Sequence, residues 1–349
     1  MYQVGIIGCG KPWKSEGATG FGMSHAHAEG YNTSPDAKIV ALADIVEENA
    51  KAFQELRGGD RLYISYPEML KKENLDIVSI STWPHLHAQM VIDCAEAGVK
   101  AVHCEKPMAP TFGECKRMIQ ICKDNGTQLT FNHQRRFGAP FVKTKELIDE
   151  GAIGEVVRME ATCPDLFDWG THWFDMLNKF NGEGEVDWVI GQLDTRDHRT
   201  VFGVTLEGQG LSQFCYKNGV MGVLMSGAGT GPQRLSIRVM GTDGTIEIGL
   251  SEEVPLRMWG KGQSQWTPVE ISDGLHGMDS VKAGVHDLIE SLKTGREPEL
   301  SGDKAFRATE MIFATYESSR RRARIDLPLD IEDSPLHAMI DAGELTITN

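Results

Sequence analysis

The first third of the chain alternates short apolar runs with longer segments in which apolar residues recur every three or four positions. The short runs predict strands, and the periodic segments predict amphipathic helices. Because strands that alternate with helices form βαβ units, this region predicts an α/β domain with a doubly wound parallel sheet. The predicted strands are Val4–Ile7, Ile39–Ala43, Ile77–Ser81, Ala101–His103 and Leu129–Phe131, and the predicted helices are Glu47–Leu56, His87–Ala97 and Cys115–Lys123.

From about residue 155 the pattern changes to one strand after another with short turns. The segment "LSQFCYKNGVMGVLMSG" contains a hairpin signal at Asn218-Gly219, and "RLSIRVMGTDGTIEIGL" turns at Gly241 and Gly244. Two helical stretches, "DSVKAGVHDLIESLKTG" and "KAFRATEMIFATYESSRRRAR", follow. We therefore predict two domains, residues 1–133 and 134–349, the second an α+β domain built on a large open, mostly antiparallel sheet.

Composition narrows the range of partners. The 349 residues include 35 basic and 50 acidic side chains, and the formal charge of −15 disfavours both nucleic acid and an anionic membrane surface. No apolar stretch reaches the length of a membrane span, and the first strand pattern begins at Tyr2, so we expect a cytoplasmic protein. Seven cysteines without a C-x-x-C pair indicate reduced thiols.

The segment "GIIGCGKPWKSEGATGFG" has the beginning of a dinucleotide-binding fingerprint, G-x-G-x-x-G, with the wrong spacing. That fingerprint needs glycines for a tight turn, for close approach to a pyrophosphate and for helix packing. Gly8 and Gly10 directly follow the first strand, and helical sequence resumes at Met23, so Gly22 takes the third position. Lys11–Thr19 is then a nine-residue insertion. The alternative is a mobile glycine-rich loop that imitates the fingerprint.

An acidic residue about 20 positions past the fingerprint separates these interpretations, because it holds the ribose hydroxyls of a dinucleotide. Asp44 ends the second predicted strand, 22 residues beyond Gly22. With strand, helix and carboxylate in register, residues 1–133 predict a Rossmann domain. A carboxylate repels a 2′-phosphate, and no Arg or Lys follows in "ADIVEEN", so NAD is favoured over NADP.

Three later stretches carry polar side chains in places where chemistry is expected. The first, "SISTWPHLHAQMVIDCAEAGVKAVHCEKPMAP", places its polar residues just beyond strand carboxyl ends, where open α/β sheets bind ligands. The second, "FNHQRRFGAPFVKTKELIDEGAIGEV", has an Arg-Phe and a Gly-x-Ile-Gly-Glu turn between the two domains. The third is "DLFDWGTHWFDML". The candidate residues are Thr82, Pro84, His87 and Glu105-Lys106-Pro107 in the first stretch, and Asp168 and His172, followed by Asp175, in the third.

Elementary chemistry assigns possible roles to three of these residues. The ammonium group of Lys106 can polarise a carbonyl or hold a substrate hydroxyl, although a lysine after a strand is often only solvated. Asp168 and His172, four residues apart, should share one face of a helix that opens near Gly170. The carboxylate can then orient the imidazole, which accepts a carbinol proton as hydride leaves. A helix-capping Asp and a surface His are the alternative.

Together these stretches resemble the Gfo/Idh/MocA oxidoreductases, the glucose–fructose oxidoreductase and inositol dehydrogenase group, over nearly the whole chain. The resemblance implies a catalytic set of Lys106, Asp168 and His172, with His172 as general base, and a homodimer or homotetramer. It also implies that the second domain binds substrate and pairs subunits. Two departures concern the substrate: the split fingerprint, and His85 where Asn is common. The expected cofactor-binding residues are Gly8, Gly10, Gly22, Asp44, Thr82, Pro84, His87 and Glu105.

Histidine and tryptophan pairs suggest further sites. His25-x-His27 and His85-x-His87 are close pairs, but side chains at i and i+2 of a helix point apart, so no metal is expected. We expect His25 and His87 to pack near the cofactor. Trp83 and Trp169 neighbour the candidate residues, and aromatic faces suit the apolar faces of sugar rings.

The expected activity is an NAD-dependent dehydrogenase or reductase acting on a secondary alcohol of a sugar, cyclitol or glycoside. An alternative within enzymes retains NAD and oxidises a sugar transiently, to drive elimination or glycoside cleavage. A further alternative is a regulator that binds NAD and a sugar without turnover. Lys106, Asp168 and His172 argue against the regulator, because a sensor has no need of a base.

Overall fold

The computed structural model describes residues 1–18, 20–229, 236–251, 253–272 and 279–347. Thr19, the last residue of the predicted insertion, lies outside the described residues. The chain divides into two compact units. The first unit comprises Met1–Gln134 and Met278–Phe306, and the second comprises Arg135–Gly277 and Arg307–Asn349.

In the described part of the first unit, six strands form a parallel sheet in the order β3-β2-β1-β4-β5-β6. Strand β4 reads IVSI and is buried at every position, as expected for a strand covered on both faces. The pattern had not predicted β3 and α3, which are short. The elements are β1 Tyr2–Ile7, α1 Met23–Thr33, β2 Ala37–Ala43, α2 Glu47–Arg57, β3 Arg61–Tyr63, α3 Tyr66–Lys72, β4 Ile77–Ile80, α4 Pro84–Glu96, β5 Ala101–Cys104, α5 Phe112–Asn125 and β6 Gln128–Phe131.

The second unit begins with a 3₁₀ turn and, among the residues described there, nine strands form one mixed sheet. Its order is β16-β15-β14-β13-β7-β12-β11-β8-β17, and β7 pairs with β12 in parallel. From this turn onwards the elements along the chain, including α8 of the first unit, are Gln134–Phe137 (3₁₀), α6 Ala139–Asp149, β7 Val156–Cys163, α7 Gly170–Phe180, β8 Val186–Asp194, β9 Arg199–Val201, β10 Val204–Leu206, β11 Gln209–Tyr216, β12 Met221–Gly227, β13 Ile237–Gly241, β14 Thr245–Ile248, β15 Leu256–Trp259, β16 Thr267–Pro268, α8 Asp279–Thr294, α9 Gly302–Arg321, β17 Ile325–Asp326 and α10 Pro335–Asp341.

Helix α8 belongs to the first unit, although the sequence placed all of residues 134–349 in the second domain. Its apolar side chains Val285, Leu288 and Ile289 are buried in the same core as the residues of β1 and α1. Gly30 on α1 makes room for this contact, because a Cβ there would lie 2.6 Å from Cβ of Val285. The chain thus returns to cover a hydrophobic face that the first 134 residues leave open.

The predicted fold class, a doubly wound parallel sheet plus an α+β unit with a large sheet, is confirmed. Helix α9 covers one face of the large sheet, where the hydroxyl of Thr315 meets that of Ser212 at 2.8 Å. The opposite face carries half-exposed apolar side chains from β8, β11 and β12. Among the described residues, no helix is long and apolar enough to cross a membrane.

Candidate active site

The glycine turn after β1 has the geometry that a dinucleotide requires. Gly8 has φ of +83°, and a Cβ there would lie 2.8 Å from the backbone oxygen of Ser81, so only glycine lets the ends of β1 and β4 approach so closely. A Cβ on Gly10 would meet nothing within 4 Å, so this backbone borders open space. A pyrophosphate can reach the turn there, and the turn fits NAD.

Gly22, which precedes α1, lies against the first residues of the insertion. A Cβ at Gly22, where φ is +61°, would lie 2.7 Å from the oxygen of Lys11 and 2.9 Å from the nitrogen of Trp13. Gly22 therefore permits a close approach, as predicted for the third glycine, but to the insertion rather than to the strand. The Trp13 and Phe21 rings lie 6.2 Å apart, and Nζ of Lys14 lies 4.2 Å from the Trp13 ring centre. Both aromatic rings are exposed.

Asp44 connects the end of β2 to this turn. Its Oδ2 accepts a hydrogen bond from the Gly10 N–H at 3.0 Å, and its Oδ1 accepts one from Val46 at 2.9 Å. Each carboxylate oxygen has a second lone pair, so ribose hydroxyls can still donate to it. The carboxylate thus lies beside the turn, where the sequence placed it.

Residues after β4 and β5 are joined by a buried histidine. The His87 ring is fully buried, with Nδ1 2.9 Å from the Pro107 oxygen and Nε2 3.1 Å from the Thr82 oxygen. Pro84 opens α4 at the first turn. His87 therefore supports the loops that carry Thr82 and Glu105-Lys106-Pro107, and within the first unit its ring is enclosed by protein.

Glu105 follows β5 and is held by several donors. Its Oε1 lies 2.9 Å from Nε2 of His27 and accepts a hydrogen bond from Nδ2 of Asn132 at 2.7 Å. Its Oε2 accepts the backbone N–H of Lys106 at 3.2 Å. Burial alone would raise the pKa of Glu105, but the hydrogen bond and charge of His27, with the charge of Lys106, lower it to about 2. Glu105 is therefore an anion at neutral pH, directly before Lys106.

In the second unit, Asp168 lies outside the helix that was predicted to carry it. Helix α7 begins at Gly170, as predicted, so Asp168 precedes the helix while His172 lies in its first turn. Oδ1 of Asp165 accepts the backbone N–H groups of Asp168 at 2.6 Å and Trp169 at 3.1 Å, and these bonds stabilise the turn that precedes the helix. Asp168 and His172 are both buried.

Two arginines to which the sequence assigned no role, one of them the Arg of the Arg-Phe pair, hold α7. Arg136 is buried and makes a bidentate pair with Asp175, at 2.7 and 2.8 Å, and a further pair with Glu183 at 2.6 Å. Cζ of Arg135 lies 4.5 Å from the ring centre of Trp173. The partners of Arg136 are 39 and 47 residues away, so no local pattern marks it as buried.

A carboxyl pair beneath the start of α7 was also missed. Glu207 is fully buried, and its Oε1 accepts the Leu166 N–H at 2.5 Å while its Oε2 accepts the Tyr316 hydroxyl at 2.9 Å. Burial and the nearby charge of Asp165 raise the pKa of Glu207 to about 7. Burial and the charge of Asp168 raise the pKa of Asp165 as well.

The histidine pair on α1 points in two directions. The ring of His25 lies 4.7 Å from that of Phe53, whereas His27 points to Ser79 and Glu105. In the described part of the chain, no group of three or more His, Cys, Asp or Glu side chains is arranged to hold a metal ion.

Comparison with known families accounts for both units. Residues 2–133 match the model of the oxidoreductase family with an NAD-binding Rossmann fold, and residues 166–247 match the GFO/IDH/MocA C-terminal domain. The chain belongs to the Gfo/Idh/MocA family of NAD-binding oxidoreductases. The predictions of family, NAD cofactor and enzyme class are therefore confirmed.

Individual relatives match nearly the whole chain. The myo-inositol 2-dehydrogenase of Thermotoga maritima is 24% identical over 93% of this chain and 98% of its own length. The D-apiose dehydrogenase of Paraburkholderia graminis is 24% identical over 98% of this chain and 94% of its own length. The WlbA dehydrogenase of Bordetella pertussis, in complex with NADH and UDP-GlcNAcA, superposes with a TM-score of 0.74 at 24% identity and covers 94% of this chain and 99% of that one.

Proposed function

We propose that this protein transfers hydride between NAD and a secondary alcohol, or the matching ketone, of a sugar, cyclitol or glycoside. The observation that carries the proposal is the full-length similarity to relatives named for an inositol and a sugar. Both match over more than nine-tenths of this chain, so the similarity includes the second unit as well as the NAD-binding one.

The chain's own residues have distinct roles in this proposal. His172 accepts the hydroxyl proton of the alcohol, and returns it when the ketone is reduced. Asp168 orients the imidazole, and Lys106 holds the oxygen that changes between hydroxyl and carbonyl. NAD, when bound, supplies the hydride acceptor. The buried anion of Glu105 supports this role for Lys106, because it attracts the ammonium group.

The cofactor roles follow from the first unit. Gly8 and Gly10 let the backbone approach the pyrophosphate, and Gly22 closes the insertion at the helix start. Asp44 holds the ribose hydroxyls. Thr82 and Pro84 border the nicotinamide end, with His87 supporting them from beneath. Trp83, exposed at 44%, and Trp169 offer aromatic faces to a sugar ring.

We further propose that residues 134–349 pair subunits into a homodimer or homotetramer through the face of the large sheet opposite α9. Leu211 and Met225 are cross-strand partners on this face, and they are 44% and 46% exposed. Ile190 on β8 is 43% exposed. A cluster of half-exposed apolar side chains is typical of a protein–protein interface.

Fluorescence of NADH tests the proposed activity. Purified protein and NAD are mixed with a panel of inositols, aldoses, ketoses and glycosides, and the corresponding ketones are tested with NADH. We expect NADH to form in stoichiometric excess over enzyme with at least one cyclitol or sugar. The His172→Ala variant is the control for contaminating activity and should form none.

Two other outcomes would favour the alternatives. A sugar consumed without NADH release, with loss of water or an aglycone as product, would indicate the enzyme that retains NAD. Saturable binding of both NAD and a sugar without any product would indicate the regulator. Either result would overturn the dehydrogenase proposal.

A further inference from the structure

A chain of buried polar groups lies beneath the Glu105-Lys106-Pro107 corner, and it includes His27, to which the proposed function assigns no role. His27 on α1 is completely buried. Its Nδ1 lies 2.8 Å from Oγ of Ser79 on β4, and its Nε2 lies 2.9 Å from Oε1 of Glu105 after β5. One imidazole thus joins the helix that follows the glycine turn to the loop that carries Lys106.

The direction of these hydrogen bonds follows from the chemistry of Glu105. A carboxylate only accepts hydrogen bonds, so Nε2 of His27 is the donor. Nδ1 of the same ring pairs with the Ser79 hydroxyl, which can either donate or accept a hydrogen bond. Nδ2 of Asn132 donates to the same oxygen, Oε1, at 2.7 Å. With two donors on Oε1, the other oxygen, Oε2, is held towards the backbone of Lys106.

Several titratable groups surround Glu105, and only some of them favour its anion. Three further titratable groups lie near this carboxylate: His87, His103 and Cys104. Burial lowers the pKa of both histidines and raises the pKa of the Cys104 thiol. These three groups are therefore neutral at pH 7. His27 and Lys106 remain as the groups whose charge or hydrogen bonding favours the anion of Glu105.

We propose that His27 is a positioning residue of the active site: it holds Glu105 as a fixed anion, which in turn holds the ammonium group of Lys106 in place for the substrate oxygen. The catalytic part of this statement rests on the proposed function. The hydrogen-bond part does not, because it concerns the state of Glu105 in the protein without substrate.

Three variants separate positioning from packing. His27→Leu removes the donor to Glu105, whereas His27→Gln replaces it with an amide donor at a similar reach. His103→Asn is the matched control, because its ring lies 4.5 Å from that of His27 and its Nδ1 bonds Thr130 at 2.9 Å. Both histidines are fully buried, so their removal disturbs the core in a similar way.

Kinetics and NAD binding give the first measurement. His27→Leu should lower kcat by at least about tenfold, the scale of one charge-assisted hydrogen bond, with KM and the Kd for NAD within about twofold of wild type. His27→Gln should recover most of kcat, and His103→Asn should resemble wild type. An equal loss in His27→Leu and His103→Asn would overturn positioning in favour of packing. A folded His27→Gln that is as impaired as His27→Leu would also overturn it.

The titration of Glu105 gives a second measurement that needs no substrate. In ¹³C-glutamate-labelled protein, with the signal assigned by its loss in Glu105→Gln, the pKa should rise from about 2 to above about 4 in His27→Leu and stay low in His27→Gln. An unchanged titration in folded His27→Leu would overturn the inference even if the enzyme is active. If His27→Leu does not fold, His27→Gln is measured instead. The pKa of Glu105 should stay low in this variant, and a raised pKa would overturn the inference. Failure of every sugar in the panel would count against the proposed function alone.

Discussion

Two buried carboxyl groups, Glu105 in the first unit and Glu207 in the second, have opposite titration behaviour. Burial raises the pKa of both, but that of Glu105 is lowered to about 2 and that of Glu207 remains near 7. Both accept hydrogen bonds from backbone and side-chain groups. The difference lies in the neighbouring charges: His27 and Lys106 favour the anion of Glu105, whereas Asp165 opposes that of Glu207.

The comparison shows that hydrogen bonds alone do not decide whether a buried carboxyl group ionises. Neutral donors such as the Ser226 and Tyr316 hydroxyls satisfy Glu207, yet burial and the nearby charge of Asp165 keep its pKa at about 7. Glu105 is therefore an anion at neutral pH, directly before Lys106, whereas the pKa of Glu207, beneath the segment that carries Asp168 and His172, is about 7.

The titrations of Glu105 and Glu207 change the stability of the fold with pH in opposite directions. Because the pKa of Glu105 is lowered from 4.5, its stabilisation is present above pH 4.5 and is lost as the pH falls towards 2. Because the pKa of Glu207 is raised from 4.5, its contribution is fully present below pH 4.5 and is lost as the pH rises through about 7.

The most severe test removes the catalytic side chain that we propose for each unit. Lys106→Ala and His172→Ala should each lower kcat by at least about a hundredfold, the scale of a lost acid–base group. Folding, followed by circular dichroism, and NAD affinity should be retained. Lys123→Ala, an exposed lysine on α5, is the control. Wild-type turnover of the true substrate by both variants would show that the assigned roles are wrong.

Glu207→Gln should abolish the pH dependence of stability that Glu207 contributes to the second unit. The amide can still accept the Leu166 N–H but cannot ionise, so the variant should gain stability relative to wild type between pH 4.5 and 8, by up to about 3 kcal/mol. Urea unfolding at each pH measures this gain. The exposed Glu55→Gln on α2 should follow the wild-type curve. A difference that stays constant with pH would contradict the raised pKa of Glu207.

The carboxylate of Asp44 is the group that we expect to select the cofactor in the first unit. Asp44→Ala should weaken NAD binding by about tenfold or more, because it removes a charge-assisted hydrogen-bond acceptor. It should also reduce the preference for NAD over NADP, because it removes a charge that repels the 2′-phosphate. Asp44→Asn keeps the shape of the side chain without its charge. It should also reduce the preference for NAD over NADP, with a smaller loss of NAD affinity than Asp44→Ala. Fluorescence titration gives the Kd for NAD and the Kd for NADP. NAD binding as tight as wild type in Asp44→Ala would remove this residue from the site.

Excising Lys11–Thr19 tests whether the insertion contributes to substrate selection. The deletion leaves Gly8, Gly10 and Gly22 in the short G-x-G-x-x-G spacing. We expect near-normal NAD affinity and a loss of about tenfold in kcat/KM for the preferred sugar, because the exposed Trp13 and Lys14 are removed from the ligand-binding edge of the sheet. Unchanged sugar kinetics in a folded deletion variant would show that the insertion is a surface excursion without a role.

Several features of the fold could be predicted from the chain alone because they depend on neighbours in sequence. The period of apolar residues predicted the parallel strands, and the turn glycines with Asp44 predicted the cofactor. The catalytic roles of Lys106, Asp168 and His172 stay predictions. Helix α7 shows the limit of such reasoning: the i, i+4 spacing of Asp168 and His172 predicts one helix that carries both residues, but α7 begins at Gly170, after Asp168.

The sequence by itself determined the parallel first domain, the large sheet of the second, the NAD cofactor and the family, because these depend on local periodicity and on motifs of adjacent residues. Only the tertiary structure placed α8 in the first unit, and only it brought His27 to Glu105, 78 residues away, and Glu207 to Leu166, 41 residues away. The physical reason is that a buried charge responds to everything within a few ångströms, and distant parts of the chain supply most of those neighbours.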